Sequence, residues 1–291
     1  WADIDNDGDQ DFLVTNRNAS NKLWRNDGGM EFTDISELSG ISTNNDTKSY
    51  GASYGDFNND GFIDLYICNY HTLIDLSTNE LYKNNGNGTF TDVTSIAGVG
   101  NGLVQSFQST FIDIDHDGHL DLHVINDRIY TPNVFYHNNG DGTFLDMSNM
   151  WSVDLGIYAM SSSFGDYDRD GDMDLYVTNG LEGNSLLRND LDDSGIFVDI
   201  AVQEGLVVSQ MCWGACWFDH NNNTWPDLYV ASGMTAYTEI PDVFDSFGYQ
   251  PNQFFVNQGA SPMLNASSST PVIDQYSFAV ATGDYNNDGF P

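Results

Sequence analysis

The residues with the most chemical promise are carboxylates set at a fixed interval. In Asp166-Tyr167-Asp168-Arg169-Asp170-Gly171-Asp172-Met173-Asp174, acids fall at positions 1, 3, 5 and 9 and a glycine at position 6. That spacing lets a tightly wound loop aim several oxygens at one point, and the glycine supplies a turn that a Cβ would obstruct. Left alone, the charges repel one another, so the loop calls for a cation. Hard oxygen ligands in an irregular shell, roughly 6–8 of them at about 2.3–2.6 Å, suit calcium better than zinc or copper. An EF-hand would carry its last acid at position 12, on a helix. Here the last acid is at position 9 and the strand-like Leu175-Tyr176-Val177 follows.

The loop recurs along the chain. Asp3, Asp5, Asp7 and Asp11 with Gly8 form the first copy, and Asp56, Asn58, Asp60 and Asp64 with Gly61 the second. Asp113, Asp115, Asp117 and Asp121 with Gly118 form the third, and the Asp166–Asp174 stretch the fourth. Asp219, Asn221, Asn223 and Asp227 make a weakened fifth, with Thr224 in place of glycine. Asp284, Asn286 and Asp288 with Gly289 open a sixth, and the sequence ends before its ninth position. All these residues are candidate metal ligands, one ion per loop.

The elements that must hold the loops follow from their interval. The leading aspartates at 3, 56, 113, 166, 219 and 284 stand 53 to 65 residues apart. A period near 50 with strand-rich content predicts blades of a β-propeller rather than helical repeats. The expected fold is therefore all-β, a single propeller domain of four-stranded blades with the calcium loop between strands one and two. Repeats are placed at 1–47, 48–103, 104–156, 157–208, 209–274 and, in part, 275–291. In the third repeat, strands are expected at 105–112, 122–125, 133–137 and 143–147, the last two joined across Asn138-Asn139-Gly140-Asp141-Gly142, a strong hairpin signal. First strands are rich in small residues (Gly51-Ala52-Ser53, Ser161-Ser162-Ser163, Gly214-Ala215-Cys216), as crowding around an axis demands. In such a blade the metal loop shares an end with the hairpin between strands three and four. Loops between strands two and three emerge at the other end and vary in length, most of all at 232–252, where a binding specificity would reside.

A net charge of −35, from 43 acids against 8 bases, excludes nucleic acid and anionic membrane surfaces as partners. No apolar run is long enough to span a bilayer, so membrane insertion is not expected. The three cysteines form no disulfide framework. Cys212 and Cys216 are expected on one face of a strand roughly 13 Å apart, beyond the reach of a bridge, and all three read as buried thiols. Both ends of the sequence fall inside a metal loop, so the chain is expected to be a fragment of about five blades.

The repeated Asp-x-Asp-x-Asp-Gly-x-x-Asp-Leu loop, followed by Leu81-Tyr82-Lys83-Asn84-Asn85-Gly86 through Phe90-Thr91-Asp92-Val93-Thr94, resembles the FG-GAP/VCBS repeat family. That family includes the propeller of integrin α subunits. The likeness is greater to cartilage acidic protein and its bacterial relatives with ASPIC/UnbV modules. Cys68-Asn69-Tyr70 and Thr178-Asn179-Gly180 stand where integrins carry Gly-Ala-Pro. The resemblance implies a calcium-bearing propeller, commonly of seven blades, secreted or at the cell surface. It implies adhesion or binding of a protein or carbohydrate ligand; the repeated loops themselves point to calcium as a structural clip, and with no nucleophile–base pattern in the sequence no catalysis is expected.

Other residues invite competing readings. His116, His119 and His123 have no spacing that would join three imidazoles on one zinc ion. Trp213, Trp217 and Trp225 could stack on a sugar, although two of them lie on an inner strand suited to packing. The aromatic and acidic 232–252 loop (Tyr237, Glu239, Asp242, Phe244, Asp245, Phe247, Tyr249) suits a carbohydrate or protein partner. The alternative is a polysaccharide-active enzyme of lyase or dehydratase type. It would need Arg128, Tyr130 and His137 to converge on one pocket.

Overall fold

The computed structural model describes residues 1–41, 48–72, 77–180, 182–233, 251–269, 277–284, 286 and 289. The 234–250 segment and Asp288 lie outside them. Two compact units divide the chain, Trp1–Ile157 and Tyr158–Pro291.

In the first unit, β1 (Phe12–Val14), β2 (Lys22–Asn26) and β3 (Phe32–Asp34) form a three-stranded sheet. Two four-stranded sheets follow. One comprises β4 (Ser49–Gly55), β5 (Asp64–Asn69), β6 (Glu80–Asn84) and β7 (Phe90–Asp92). The other comprises β8 (Ser106–Ile112), β9 (Asp121–Asn126), β10 (Val134–Asn138) and β11 (Phe144–Asp146). The second unit holds β12 (Ser162–Gly165), β13 (Asp174–Val177), β14 (Ser185–Asp190) and β15 (Ile196–Asp199) in one sheet. Its other sheet holds β16 (Cys212–Phe218), β17 (Asp227–Ser232), β18 (Gln253–Val256) and β19 (Leu264–Asn265). Every sheet is antiparallel with strands in chain order, the blade-like pattern that short connections favour. Among the described residues no helix is long and apolar enough to cross a membrane.

Successive sheets pack face to face within each unit. Tyr66, Cys68 and Leu81 of the second sheet meet Leu122, Val124 and Tyr136 of the third in one core. Leu23 and Ile35 meet Leu65, Ile67 and Tyr82 in another. In the second unit Tyr176, Leu186 and Leu206 meet Leu228, Val230 and Phe255. The second strand of each four-stranded sheet is covered on both faces, and β5, β9 and β13 are buried throughout. Each such Leu, Val or Tyr contributes roughly 1.5–3 kcal/mol by leaving water.

The small residues of the first strands permit a close approach. A Cβ on Gly51 would stand 2.6 Å from the Phe107 carbonyl oxygen of β8, and one on Gly165 would meet the Trp217 ring at 2.6 Å. Ser53 Oγ and Ser109 Oγ share a hydrogen bond of 2.7 Å across the same gap.

The pairing of β16 with β17 corrects the cysteine geometry. Cys212 lies opposite Ser232 but Ala215 lies opposite Val230, so β16 carries one extra residue between them. Such a bulge resets the alternation of side chains. Cys216 consequently faces away from Cys212 and is half-buried, while Cys212 and Cys68 are fully buried; all three thiols are free.

Candidate metal centre

Each loop is wound by its own side chains. Asp3 accepts hydrogen bonds from the Asp7 and Gly8 amides (3.1 and 2.9 Å), and Asp56 from those of Asp60 and Gly61 (3.1 and 2.8 Å). Asp113 accepts from Gly118 N, Asp219 from Thr224 N and Asp284 from Gly289 N. Position 6 is left-handed throughout: Gly8, Gly61, Gly118, Gly171 and Gly289 have φ of +87° to +104°, and Thr224 takes φ 72°. Position 4 is left-handed as well, at Asn6, Asn59, His116, Arg169 and Asn222, a requirement that the carboxylate spacing did not disclose.

Among the described residues this winding gathers acids at three loops. Ligand oxygens of Asp3, Asp5 and Asp7 lie within 4.8 Å of one another, as do those of Asp113, Asp115 and Asp117 and those of Asp166, Asp168 and Asp174. One oxygen each of Asp5, Asp113, Asp166 and Asp168 is sealed from solvent with no hydrogen-bond partner. Burial, reinforced by neighbouring carboxylates, pushes the pKa of Asp5 and Asp168 upward. Unpartnered, desolvated oxygens converging on a point are the donor set a hard dication fits. Asp170 Oδ1 is turned back onto the Asp172 amide at 3.0 Å.

The second and fifth loops are arranged differently. In the second, Lys83 Nζ reaches Asp60 Oδ2 at 2.9 Å and Asn58 donates its amide to Asp64 Oδ2 at 3.1 Å. In the fifth, His220 Nδ1 lies 2.5 Å from Asp227 Oδ2, Asn221 Oδ1 accepts from Asn223 N, and the Asn223 amide donates to the Asn257 carbonyl at 3.0 Å. In the sixth, Asn286 N donates to Asp284 Oδ1 at 3.3 Å.

The ninth-position acid has a second role. Asp11, Asp64, Asp121, Asp174 and Asp227 are fully buried. Each accepts one amide from position 2 of its loop (Ile4, Phe57, Ile114, Tyr167, His220). Each accepts another, at 2.7–2.9 Å, from an asparagine at or next to the end of the strand that leads into the hairpin (Asn26, Asn84, Asn138, Asn189, Asn257). Burial outweighs these bonds and raises Asp64 to about 7 and Asp174 to about 8.

Those asparagines also join neighbouring repeats. Asn84 Nδ2 donates to the Ile4 carbonyl, Asn138 Nδ2 to that of Phe57 and Asn257 Nδ2 to that of Tyr167, each at 2.7 Å. A second tie runs the other way. Position-4 amides of Asn6, Asn59 and Asn222 donate to the carbonyls of Gly61, Gly118 and Gly289 in the following loop, at 3.0, 2.9 and 2.7 Å. The first and second loops, and the second and third, are thus cross-linked in both directions, whereas the fourth and fifth, and the fifth and sixth, are each tied by one such bond.

The hairpin between strands three and four shares the loop's end of the sheet. A Cβ on Gly86 would strike the Phe62 ring, one on Gly140 the His119 imidazole and one on Gly259 the Trp225 indole, all within 2.7 Å. His119 is therefore a cover for the hairpin, while His123 is buried in β9 against Phe135. The tryptophans form no common platform. Trp213 bonds the Gly233 carbonyl, Trp217 packs on Gly165, and Arg169 lies over Trp225 at 5.2 Å.

Arg128, Tyr130 and His137 do not converge. Arg128 follows the far end of β9, bound to Asp127 and over the Tyr70 ring at 5.7 Å, and Tyr130 is exposed. His137 stands at the loop end of the same sheet, beside Asp121.

Sheets of this order, one per repeat and each headed by an acidic loop, define a repeat protein of all-β class. The profile of FG-GAP-like repeats matches residues 3–67, 56–124 and 113–177, each match running from one loop through the next. The chain belongs to the FG-GAP-like repeat family. No curated protein matches it. Among solved structures it is similar to a lectin of Agrocybe aegerita, described for its recognition of non-reducing terminal N-acetylglucosamine. The two are 16% identical, with 88% of this chain and 80% of that chain covered and a TM-score of 0.41.

Proposed function

We propose that the chain is part of a calcium-stabilised β-propeller that binds a protein or carbohydrate ligand outside the cell or at its surface, without catalysing a reaction. The observation that carries this reading is the convergence of desolvated, unpartnered carboxylate oxygens in loops one, three and four. Membership of the FG-GAP-like repeat family supports it. Bound calcium would neutralise part of the −35 charge and stiffen the rim that carries the loops. Extracellular calcium modules bind at about 10⁻⁴–10⁻³ M, which fills such sites outside cells and leaves them empty in the cytosol.

The ligand belongs at the opposite end of the sheets, where connections between strands two and three differ in length. The longest, 232–252, lies mostly outside the described residues. Calorimetric titration of chelator-treated protein with Ca²⁺, followed by a glycan and protein array with and without the ion, tests both parts. Absence of any calcium heat would refute the metal assignment. Ligand binding unchanged by substitutions throughout 232–252 would refute the placement of the binding surface.

A further inference from the structure

We propose that the third loop is a mixed nitrogen–oxygen site, with His137 as a ligand beside the Asp113, Asp115, Asp117 and Asp121 carboxylates, and that it selects a first-row transition-metal dication over calcium. This rests on the reading that the loops hold divalent ions.

His137 lies on β10 one position past Tyr136, which pairs with Leu122, so its side chain stands next to Asp121. Its Nδ1 lies 3.3 Å from Asp115 Oδ2 and 3.2 Å from Asp121 Oδ1, and the three ligand atoms fall within 4.8 Å of one another. The side chain is 23% exposed, but its Nδ1 is shielded from solvent and stands at ion-pair distance from both carboxylates without a hydrogen bond to either, so the unprotonated imidazole offers its lone pair to an ion held among these acids. Asp113 Oδ1 at the same loop is likewise shielded and accepts no hydrogen bond. The Trp151 ring stands edge-on to the imidazole at 5.8 Å and fixes its plane. The amides of Ile114 and Asn138 hold the Asp121 carboxylate in place, leaving lone pairs for a metal.

The other repeats show what is unusual here. The equivalent third-strand position is Arg25, Lys83, Arg188 and Val256. Lys83 donates to its loop acid, whereas Arg25 and Arg188 are drawn onto Asp27 and Asp190. A guanidinium or ammonium has no lone pair to give; a neutral imidazole has one. Calcium and magnesium favour all-oxygen shells, while imidazole nitrogen favours zinc and its neighbours in the first row.

The test uses the chelator-treated chain labelled with ¹⁵N-histidine and titrated with Zn²⁺ and, separately, with Ca²⁺. Zn²⁺ is expected to shift the His137 Nδ1 resonance at one equivalent, while Ca²⁺ leaves it in place. His137→Lys and His137→Gln are each expected to weaken the tightest Zn²⁺ site at least about tenfold, the lower bound even for an outer partner of a metal ligand. Calcium binding at the first and fourth loops should persist in both variants. A Zn²⁺ titration that leaves Nδ1 unmoved while calcium still binds overturns this inference alone. Binding of neither ion overturns it together with the proposed function.

Discussion

The side-chain amide of Asn84 donates to the carbonyl of Ile4, 80 residues earlier, at 2.7 Å. The same amide bonds the Ile63 carbonyl at 3.0 Å, and Asn84 Oδ1 accepts from Gly86 N at 2.9 Å. One buried side chain therefore fastens its own loop, its own hairpin and the loop of the preceding repeat.

Asn84→Ala should consequently destabilise the chain by about 1–3 kcal/mol, the cost of leaving buried backbone groups unpaired. Asn85→Ala, which removes only exposed bonds to Thr89 and Thr91, should change stability by less than about 0.5 kcal/mol. Urea denaturation of the two variants checks the difference.

Removing divalent ions should lower the melting temperature, because ions that bind only the folded loops contribute folding energy. A site held at 100 times its Kd contributes about 2.7 kcal/mol. Asp168→Ala should reduce the calcium-dependent part of the melting shift and leave the shift from the first loop. Thermal melts in Ca²⁺ and in chelator decide this.

Thr224 is a β-branched residue held at φ 72° and exposed, in the place where the five other loops have glycine. Left-handed strain at such a residue costs on the order of 1–3 kcal/mol, partly offset in a variant by the greater chain entropy of glycine. Thr224→Gly should stabilise the chain by about 1 kcal/mol, read as a higher urea midpoint at unchanged slope.

Burial pushes the Cys68 thiol up to about 12 and that of Cys216 to about 11. The thiolate is the reactive form, so it becomes abundant only above those values. At pH 8 native protein should react slowly with a disulfide reagent, Cys216 first because it is half-buried, and the rate should rise with pH through 9 and 10. In denaturant all three thiols should react at once.

Much of this was legible in short-range pattern. Strands in the third repeat were expected at 105–112 and 133–137 and occur at Ser106–Ile112 and Val134–Asn138, because alternation and Asn-Gly turns are local signals. The shared end of loop and hairpin followed from counting strands. The facing of Cys216 did not, since a bulge adds a residue that no alternation records. Nor did the partners of Asn84, Asn138 and Lys83, although Leu81-Tyr82-Lys83-Asn84 and Phe135-Tyr136-His137-Asn138 repeat visibly. What those side chains touch depends on how one sheet stacks on the next, more than 50 residues away in the case of Asn84 and Ile4.

The buried aspartate that opens each second strand separates two inheritances. Asp227 still receives the His220 and Asn257 amides in a repeat where asparagines have replaced two acids and threonine the glycine. The bend is thus secured by main-chain donors, and the charge inventory at its tip is free to drift. A repeat of this kind can lose its acids, and with them any capacity for an ion, without forfeiting its place in the stack.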